Sequence, residues 1–244
     1  MLAVGALAWS RPLPATQPAL AAMRSGSDVR VADRLTWFEM IPAAKNGKGE
    51  VVKPKTGLVF VPGARVDPRA YARVLRPLAE AGYFVAVLKE PFGVALTDAG
   101  HAGRVIEVHP EIGQWVVGGH SLGAVVAAAF AQDRPEVNGA PIAGLVLYAG
   151  YPAGTVNRAG LKVTSVSGDL DGVTTPQDIT NSKAHLPADT RYVVVPGAVH
   201  SYFGDYGEQD GDGTPTADRA AAQTQIAQAT QALLASVTPK PKKK

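Results

Sequence analysis

The chain has 244 residues, a length that suits one domain with a sizeable core. Its apolar fraction of 46% and charged fraction of 18% are globular values and exclude a disordered or fibrous chain. Much of the net charge of +3 sits in the tail Lys240-Pro241-Lys242-Lys243-Lys244, so it argues little for nucleic acid, and the lack of cysteine excludes disulfides, thiolate metal sites and cysteine nucleophiles without fixing the compartment.

Residues 1–9 (MLAVGALAW) are apolar and uncharged, too short to span a bilayer, and lack the basic start of a signal peptide. They read as the trailing end of a longer anchor or signal; an apolar arm packed on the domain is the other reading. Residues 10–18 then read as a Pro-rich linker leaving that anchor. The expected organisation is a stub and linker over 1–24, one domain over 25–237, and a disordered basic tail over 238–244.

A short helix is expected over residues 18–24, with Leu20 and Met23 on one side. Residues 29–41 read as two strands with a turn near Asp33-Arg34. Residues 45–56 are polar and hold two glycines, the pattern of an exposed hairpin loop. Gly57-Leu58-Val59-Phe60-Val61 is a buried strand that Pro62-Gly63 ends. Asp67 followed by Pro68 starts a helix, a capping side chain and then proline at the first helical position. Tyr71, Val74, Leu75 and Leu78 follow at helical spacing and Gly82 closes the helix, while Pro77 must kink it or end it early. Residues 83–88 form another buried strand, and a helix is expected over 97–108.

Trp115-Val116-Val117-Gly118 is a short buried strand and residues 124–132 an alanine-rich buried helix. Between them lies Gly119-His120-Ser121-Leu122-Gly123, a G-x-S-x-G pattern. A serine at a sharp strand-to-helix turn is a nucleophile elbow: the turn strains the serine backbone and lifts its hydroxyl clear of the sheet. The strand and helix pass so close that side chains at Gly119 and Gly123 would collide. The helix N-terminus adds unpaired N–H groups where an oxyanion would form. The bland alternative is a glycine-bearing turn with a solvated serine.

Strands follow over 145–148, 163–167 and 191–195, with a helix over 175–186. The last helix, over 217–237, carries Ile226, Thr230, Leu233, Leu234 and Val237 on one stripe. Strands alternating with helices predict the α/β class: a mostly parallel twisted sheet with helices on both faces and the opening hairpin as an antiparallel edge. Residues 151–162 are too few for a lid domain, so the site is expected to be open and walled by loops.

A serine hydroxyl needs a base, and histidine suits that task near neutral pH. Of the five histidines, His200 follows the strand over 191–195, at the strand end where catalytic groups of such sheets sit. His101, His109 and His185 fall in helices or beside them. The base needs a carboxylate to hold its tautomer. Gly168-Asp169-Leu170-Asp171-Gly172 holds acids at a strand C-terminus between the serine and His200. Asp171, deeper in the loop, is the expected partner; Asp169 is the other candidate, or a turn-forming carboxylate. The oxyanion donors are expected to be the N–H groups of Leu122 and Ala64. His120, next to Ser121, should point away from the nucleophile. Arg65 reads as a lip residue or a solvated side chain, and Tyr202, Phe203 and Tyr206 as walls of the cleft. Arg65, His120, Tyr202 and Phe203 thus make up the expected border of the substrate site. Asp210-Gly211-Asp212-Gly213 has part of a calcium-loop pattern without its ligand spacing or distal glutamate, so no metal is expected.

Residues 57–237 resemble the α/β-hydrolase superfamily, and more narrowly a bacterial branch called alpha/beta hydrolase fold-5, akin to dienelactone hydrolases. The resembling stretches are Val61 through Tyr71, Gly119 through Gly123, Ser167 through Gly172, and Pro196-Gly197-Ala198-Val199-His200 with Phe203-Gly204-Asp205-Tyr206-Gly207. The superfamily's G-x-x-D pattern maps onto Gly168 and Asp171. Two departures are Ala64, where relatives often carry a second glycine, and Ala198-Val199, where they carry Gly-Asn. The resemblance implies a serine hydrolase of carboxylesterase type, acting through Ser121, His200 and Asp171 on a small acyl substrate, with no cofactor and no nucleic-acid partner. It also implies export or a membrane tether through a longer N-terminus, in a bacterial envelope, with the cytoplasm as the alternative. Amide, thioester or polyester substrates stay open, as does a non-catalytic binding module on the same fold.

Overall fold

In the computed structural model, which describes residues 12–45, 47, 49–89 and 100–239, strands and helices alternate as the apolar pattern requires. The elements are α1 (Gln17–Ala22), β1 (Val29–Asp33), β2 (Trp37–Pro42), β3 (Thr56–Val61), a 3-10 turn (Pro68–Tyr71) leading into α2 (Ala72–Glu80), β4 (Phe84–Leu88), α3 (His101–Glu107), β5 (Gln114–His120), α4 (Leu122–Asp133), β6 (Glu136–Val137), β7 (Ala140–Tyr148), β8 (Lys162–Gly168), α5 (Pro176–Ser182), β9 (Arg191–Val195), a second 3-10 turn (His200–Phe203) and α6 (Arg219–Val237). The sheet order is β1-β2-β4-β3-β5-β7-β8-β9, with β6 paired to β7 beside that path. β1 and β2 are antiparallel, and β2 is antiparallel to β4. From β4 to β9 along the path every pairing is parallel. The expected parallel sheet with an antiparallel edge hairpin is therefore present. The order reverses between β3 and β5, and in such sheets ligands bind outside the carboxyl ends of the strands at that point.

Period-two alternation places the core on both faces. Leu58 and Phe60 of β3 join Val85 and Val87 of β4 on one face, covered by Val74, Leu75 and Leu78 of α2 and by Ile226, Leu233 and Leu234 of α6. Val59 and Val61 join Phe84, Ala86 and Leu88 on the other, covered by α3 and α4. The stripe read on the last helix is buried as expected. Pro77 neither ends nor truncates α2, which continues to Glu80. The missing N–H costs the helix one internal bond, and burial of Val74, Leu75, Leu78 and Ala79 on both sides of the proline holds it together. The cap at Asp67 is as expected, its carboxylate accepting from Arg69 N–H at 2.9 Å.

The proline-rich segment read as a linker is docked from residue 12 onward. Leu13 forms a parallel bridge with Val66, its N–H donating to the Arg65 carbonyl at 2.7 Å and its carbonyl accepting from Asp67 N–H at 2.9 Å. Thr16 N–H donates to the Asp205 carbonyl at 2.8 Å. Residues 1–11, the segment 90–99 and the tail 240–244 lie outside the described residues, so the apolar stub, the first part of the helix expected over 97–108 and the basic tail do too. Among the described residues no helix is long and apolar enough to cross a membrane.

One buried ion pair sits away from the strand ends. Glu39 of β2 is 1% exposed and accepts from Trp37 Nε1 at 2.7 Å, with His109 Nε2 at 3.1 Å and the Arg34 guanidinium beside it. Burial pushes this carboxyl up, but the hydrogen bonds from His109, Trp37 and Arg34 outweigh burial and hold it at about 2. Burial lowers His109 in turn, and the hydrogen bonds to Glu39 and Glu111 overcome that and raise it. The signs fix a window. Glu39 stabilises the fold above the ordinary carboxylate range and loses that effect as pH falls towards 2; His109 stabilises it below the ordinary histidine range and loses that effect as pH rises through its raised value. Glu39→Gln is expected to cost about 2–3 kcal/mol in urea melts near pH 6. The difference from the parent should shrink towards pH ~9 as His109 gives up its proton. An equal loss at both pH values would mean that the charge on His109 contributes nothing there, since the Arg34 guanidinium stays charged at both.

Candidate active site

The turn after β5 has the geometry expected of an elbow. Ser121 stands at φ 53° and ψ −121°, a conformation that L residues avoid. A Cβ on Gly119 would run into the backbone of Gly123, and one on Gly123 into the Val61 carbonyl, so both glycines are required by close passage. Arg65 (φ 64°) and Ala149 (φ 42°) are also in the left-handed region. Arg65, Ser121 and Ala149 follow β3, β5 and β7, three adjacent strands, at the same rim. Concentrated backbone strain of this kind marks functional sites more often than simple turns.

His200 and Asp171 meet at that rim. His200 Nδ1 lies 2.9 Å from Asp171 Oδ2, with the two residues 1% and 3% exposed. Asp171 Oδ1 accepts from Val173 N–H at 2.9 Å and Thr174 N–H at 2.7 Å, so its own loop fixes the carboxylate. Asp169 is turned elsewhere, accepting from Gly197 N–H at 2.6 Å. Of the two acids considered, Asp171 is the one against the histidine. Among the described residues no hydrogen bond joins Ser121 Oγ to His200, a contact that often tightens only when substrate is bound. His120 connects the two: its ring centroid is 4.5 Å from that of His200, and it immediately precedes Ser121.

His120, Tyr202 and Phe203 are not at an open cleft. His120 is 1% exposed and packs against Phe203 and Tyr206, while Phe203 is fully buried against Tyr148. The short 3-10 turn over His200–Phe203 buries Tyr202 and Phe203. Burial, with a smaller contribution from neighbouring His200, holds His120 well below the usual histidine range, so it is neutral. Burial pushes the Tyr71 hydroxyl up. Tyr71 Oη accepts from Gly63 N–H at 2.8 Å and lies 2.9 Å from His120 Nδ1. That chain ties the loop after β3 to the elbow. Gly63 N–H is occupied by Tyr71, whereas Ala64 and Leu122 N–H groups have no acceptor among the described residues.

Sequence reasoning missed the scaffold of the histidine loop. Arg219 at the start of α6 donates to the carbonyls of Ser201 (2.7 Å), Gly204 (3.1 Å) and Gly207 (3.2 Å) and stacks on the Tyr202 ring. Asp212, noted only as part of a calcium-like pattern, accepts from His200 N–H at 2.9 Å and Ser201 N–H at 2.8 Å. No spacing rule marks either contact. Among the described residues no cluster of three metal-ligating side chains is present.

A sequence profile described as the alpha/beta hydrolase family matches residues 57–225. Solved structures agree on the fold at low identity. An esterase from the Planctomycetes species Thermogutta terrifontis shares 17% identity, with 90% of this chain and 95% of that one aligned at a TM-score of 0.57. A predicted CIB-like hydrolase from Thermoplasma acidophilum shares 13%, covering 86% of this chain and all of that one (100%), at 0.58. A variant of the esterase rPPE shares 13%, over 91% and 88% of the two chains, at 0.61. No curated protein matches the sequence significantly. With the profile spanning well over half of the chain, from β3 into α6, the protein belongs to the alpha/beta hydrolase family.

Proposed function

We propose that the protein is a serine hydrolase that cleaves carboxylic esters through an acyl-enzyme. The observation that carries the reading is the buried His200–Asp171 pair at 2.9 Å, set beside a serine held at φ 53°. With Nδ1–H donated to Asp171, the lone pair of His200 Nε2 is left to accept a proton. Ser121 Oγ attacks the ester carbonyl as its proton passes to Nε2. Leu122 and Ala64 N–H groups hold the tetrahedral oxyanion. The imidazolium, stabilised by Asp171, protonates the leaving alcohol, and water then enters by the same route in reverse. No step calls for a cofactor. The loop between β7 and β8 holds no helix, consistent with a site walled by loops and with short or varied acyl groups.

The test combines a fluorophosphonate probe with p-nitrophenyl esters of increasing chain length. Covalent labelling of Ser121 and turnover of the short esters are expected. A folded protein that the probe does not label would point to a binding module on the same fold, and labelling without ester turnover to an amide or thioester substrate.

A further inference from the structure

The loop over 207–213 is built into the histidine side of the site. A Cβ on Gly213 would collide with the Leu170 carbonyl, and one on Gly172 with the Gly211 carbonyl, so this loop and the acid loop touch backbone to backbone. Asp212 lies at that contact. Its Oδ1 accepts from His200 N–H at 2.9 Å and Gly213 N–H at 2.8 Å, with Gly172 N–H at 3.4 Å; its Oδ2 accepts from Ser201 N–H at 2.8 Å. One carboxylate thus bridges the residue next to Asp171 and the backbone of His200 itself. A turn-forming aspartate would bond only its own neighbours. This one reaches back 12 and 40 positions along the chain.

We propose that Asp212 is a positioning residue for the general base: it locks the His200 backbone to the acid loop, so that the imidazole stays in register with Asp171, and it adds a negative charge behind the imidazole. The proposal rests on His200 being the base. The other charged or titratable groups around His200 are Asp171 from the β8 loop, His120 from β5, which has Tyr206 packed on its own ring, and Arg219 from α6 through the Ser201 carbonyl. None of these holds the His200 N–H.

The variants are Asp212→Ala, which removes all four acceptor contacts, and Asp212→Asn, which keeps the Oδ1 contacts but turns an NH2 towards Ser201 N–H. Asp218→Ala is the control: it removes the α6 cap, in which Asp218 accepts from Ala221 N–H, while the Arg219 side chain that braces the histidine loop and all the Asp212 contacts are kept. With p-nitrophenyl acetate, Asp212→Ala is expected to lower kcat about 10–100-fold with KM within about twofold, and Asp212→Asn to fall between it and the parent. The acid limb of kcat/KM should move to lower pH, because losing the charge disfavours the imidazolium. Asp218→Ala should lower the melting temperature and leave kcat unchanged.

A readout without turnover is the low-field proton NMR resonance of His200 Nδ1–H and the imidazole titration midpoint. In Asp212→Ala the resonance should broaden or shift and the midpoint fall. An unmoved resonance and midpoint, with a melting temperature reduced as in Asp218→Ala, would overturn the proposal and leave Asp212 a structural staple. A parent that neither turns over esters nor takes the probe would instead defeat the esterase reading, and the resonance would still decide the role of Asp212.

Discussion

Ser121→Ala is expected to abolish ester turnover while the protein stays folded. The loss in kcat/KM should be about 10⁴-fold or more, on the order of 5 kcal/mol or above in transition-state stabilisation, because without the nucleophile only substrate binding and the oxyanion donors remain. Folding should hardly notice. Among the described residues the Ser121 side chain makes no hydrogen bond, and its backbone N–H donates to the Tyr148 carbonyl at 2.9 Å whatever the side chain. Alanine at φ 53° carries nearly the same strain as serine. Glycine does not, so Ser121→Gly should be equally inactive yet about 1 kcal/mol more stable, read as a higher urea midpoint with an unchanged slope. An inactive variant that gains stability would identify the strain as a cost of catalytic geometry. Full turnover by Ser121→Ala would place the chemistry elsewhere.

The parts of this site that could be read from the sequence are those whose signals are local. A strand of β-branched residues, a tight glycine turn and an alanine-rich helix announce the elbow within about a dozen positions. The pairing of Asp171 with His200 was legible for the same reason, since each follows a recognisable strand of one parallel sheet. Period-two alternation in β3 and β4 likewise foretold two covered faces. What could not be read depends on contacts between distant segments. Tyr71 looked like one more apolar position on α2's approach, and nothing in its spacing indicates that its hydroxyl would sit between Gly63 N–H and His120. Tyr202 and Phe203 were expected at the cleft because aromatics in a loop carry no inside or outside label; the 3-10 turn decides it, and it buries them. The docking of Leu13 against Val66 had no sequence signal, since proline-rich stretches read the same whether they cross open solvent or lie along a loop.

The two loop aspartates should separate sharply. Asp171→Asn is expected to lower kcat by about 10³–10⁴-fold with little change in KM, because an amide facing His200 Nδ1 favours the tautomer whose Nε2 already carries the proton and cannot accept one from serine. The fold should survive, since the amide oxygen can still accept from Val173 and Thr174 N–H groups in place of Oδ1. Asp169→Asn has the opposite profile. Its carboxylate holds Gly197 N–H at 2.6 Å, in the turn that leads towards His200, and nothing on the imidazole. Weakening that bond should cost about 1 kcal/mol of stability and change kcat by only a few-fold. Steady-state kinetics beside urea melts of both variants distinguish the roles: the larger kinetic loss belongs with the acid in contact with His200, and the larger stability loss per unit of activity with the one that shapes the turn. If Asp169→Asn were the inactive protein, the 2.9 Å contact between Asp171 and His200 would be a structural ion pair and the base would have to be oriented from the other side of the loop.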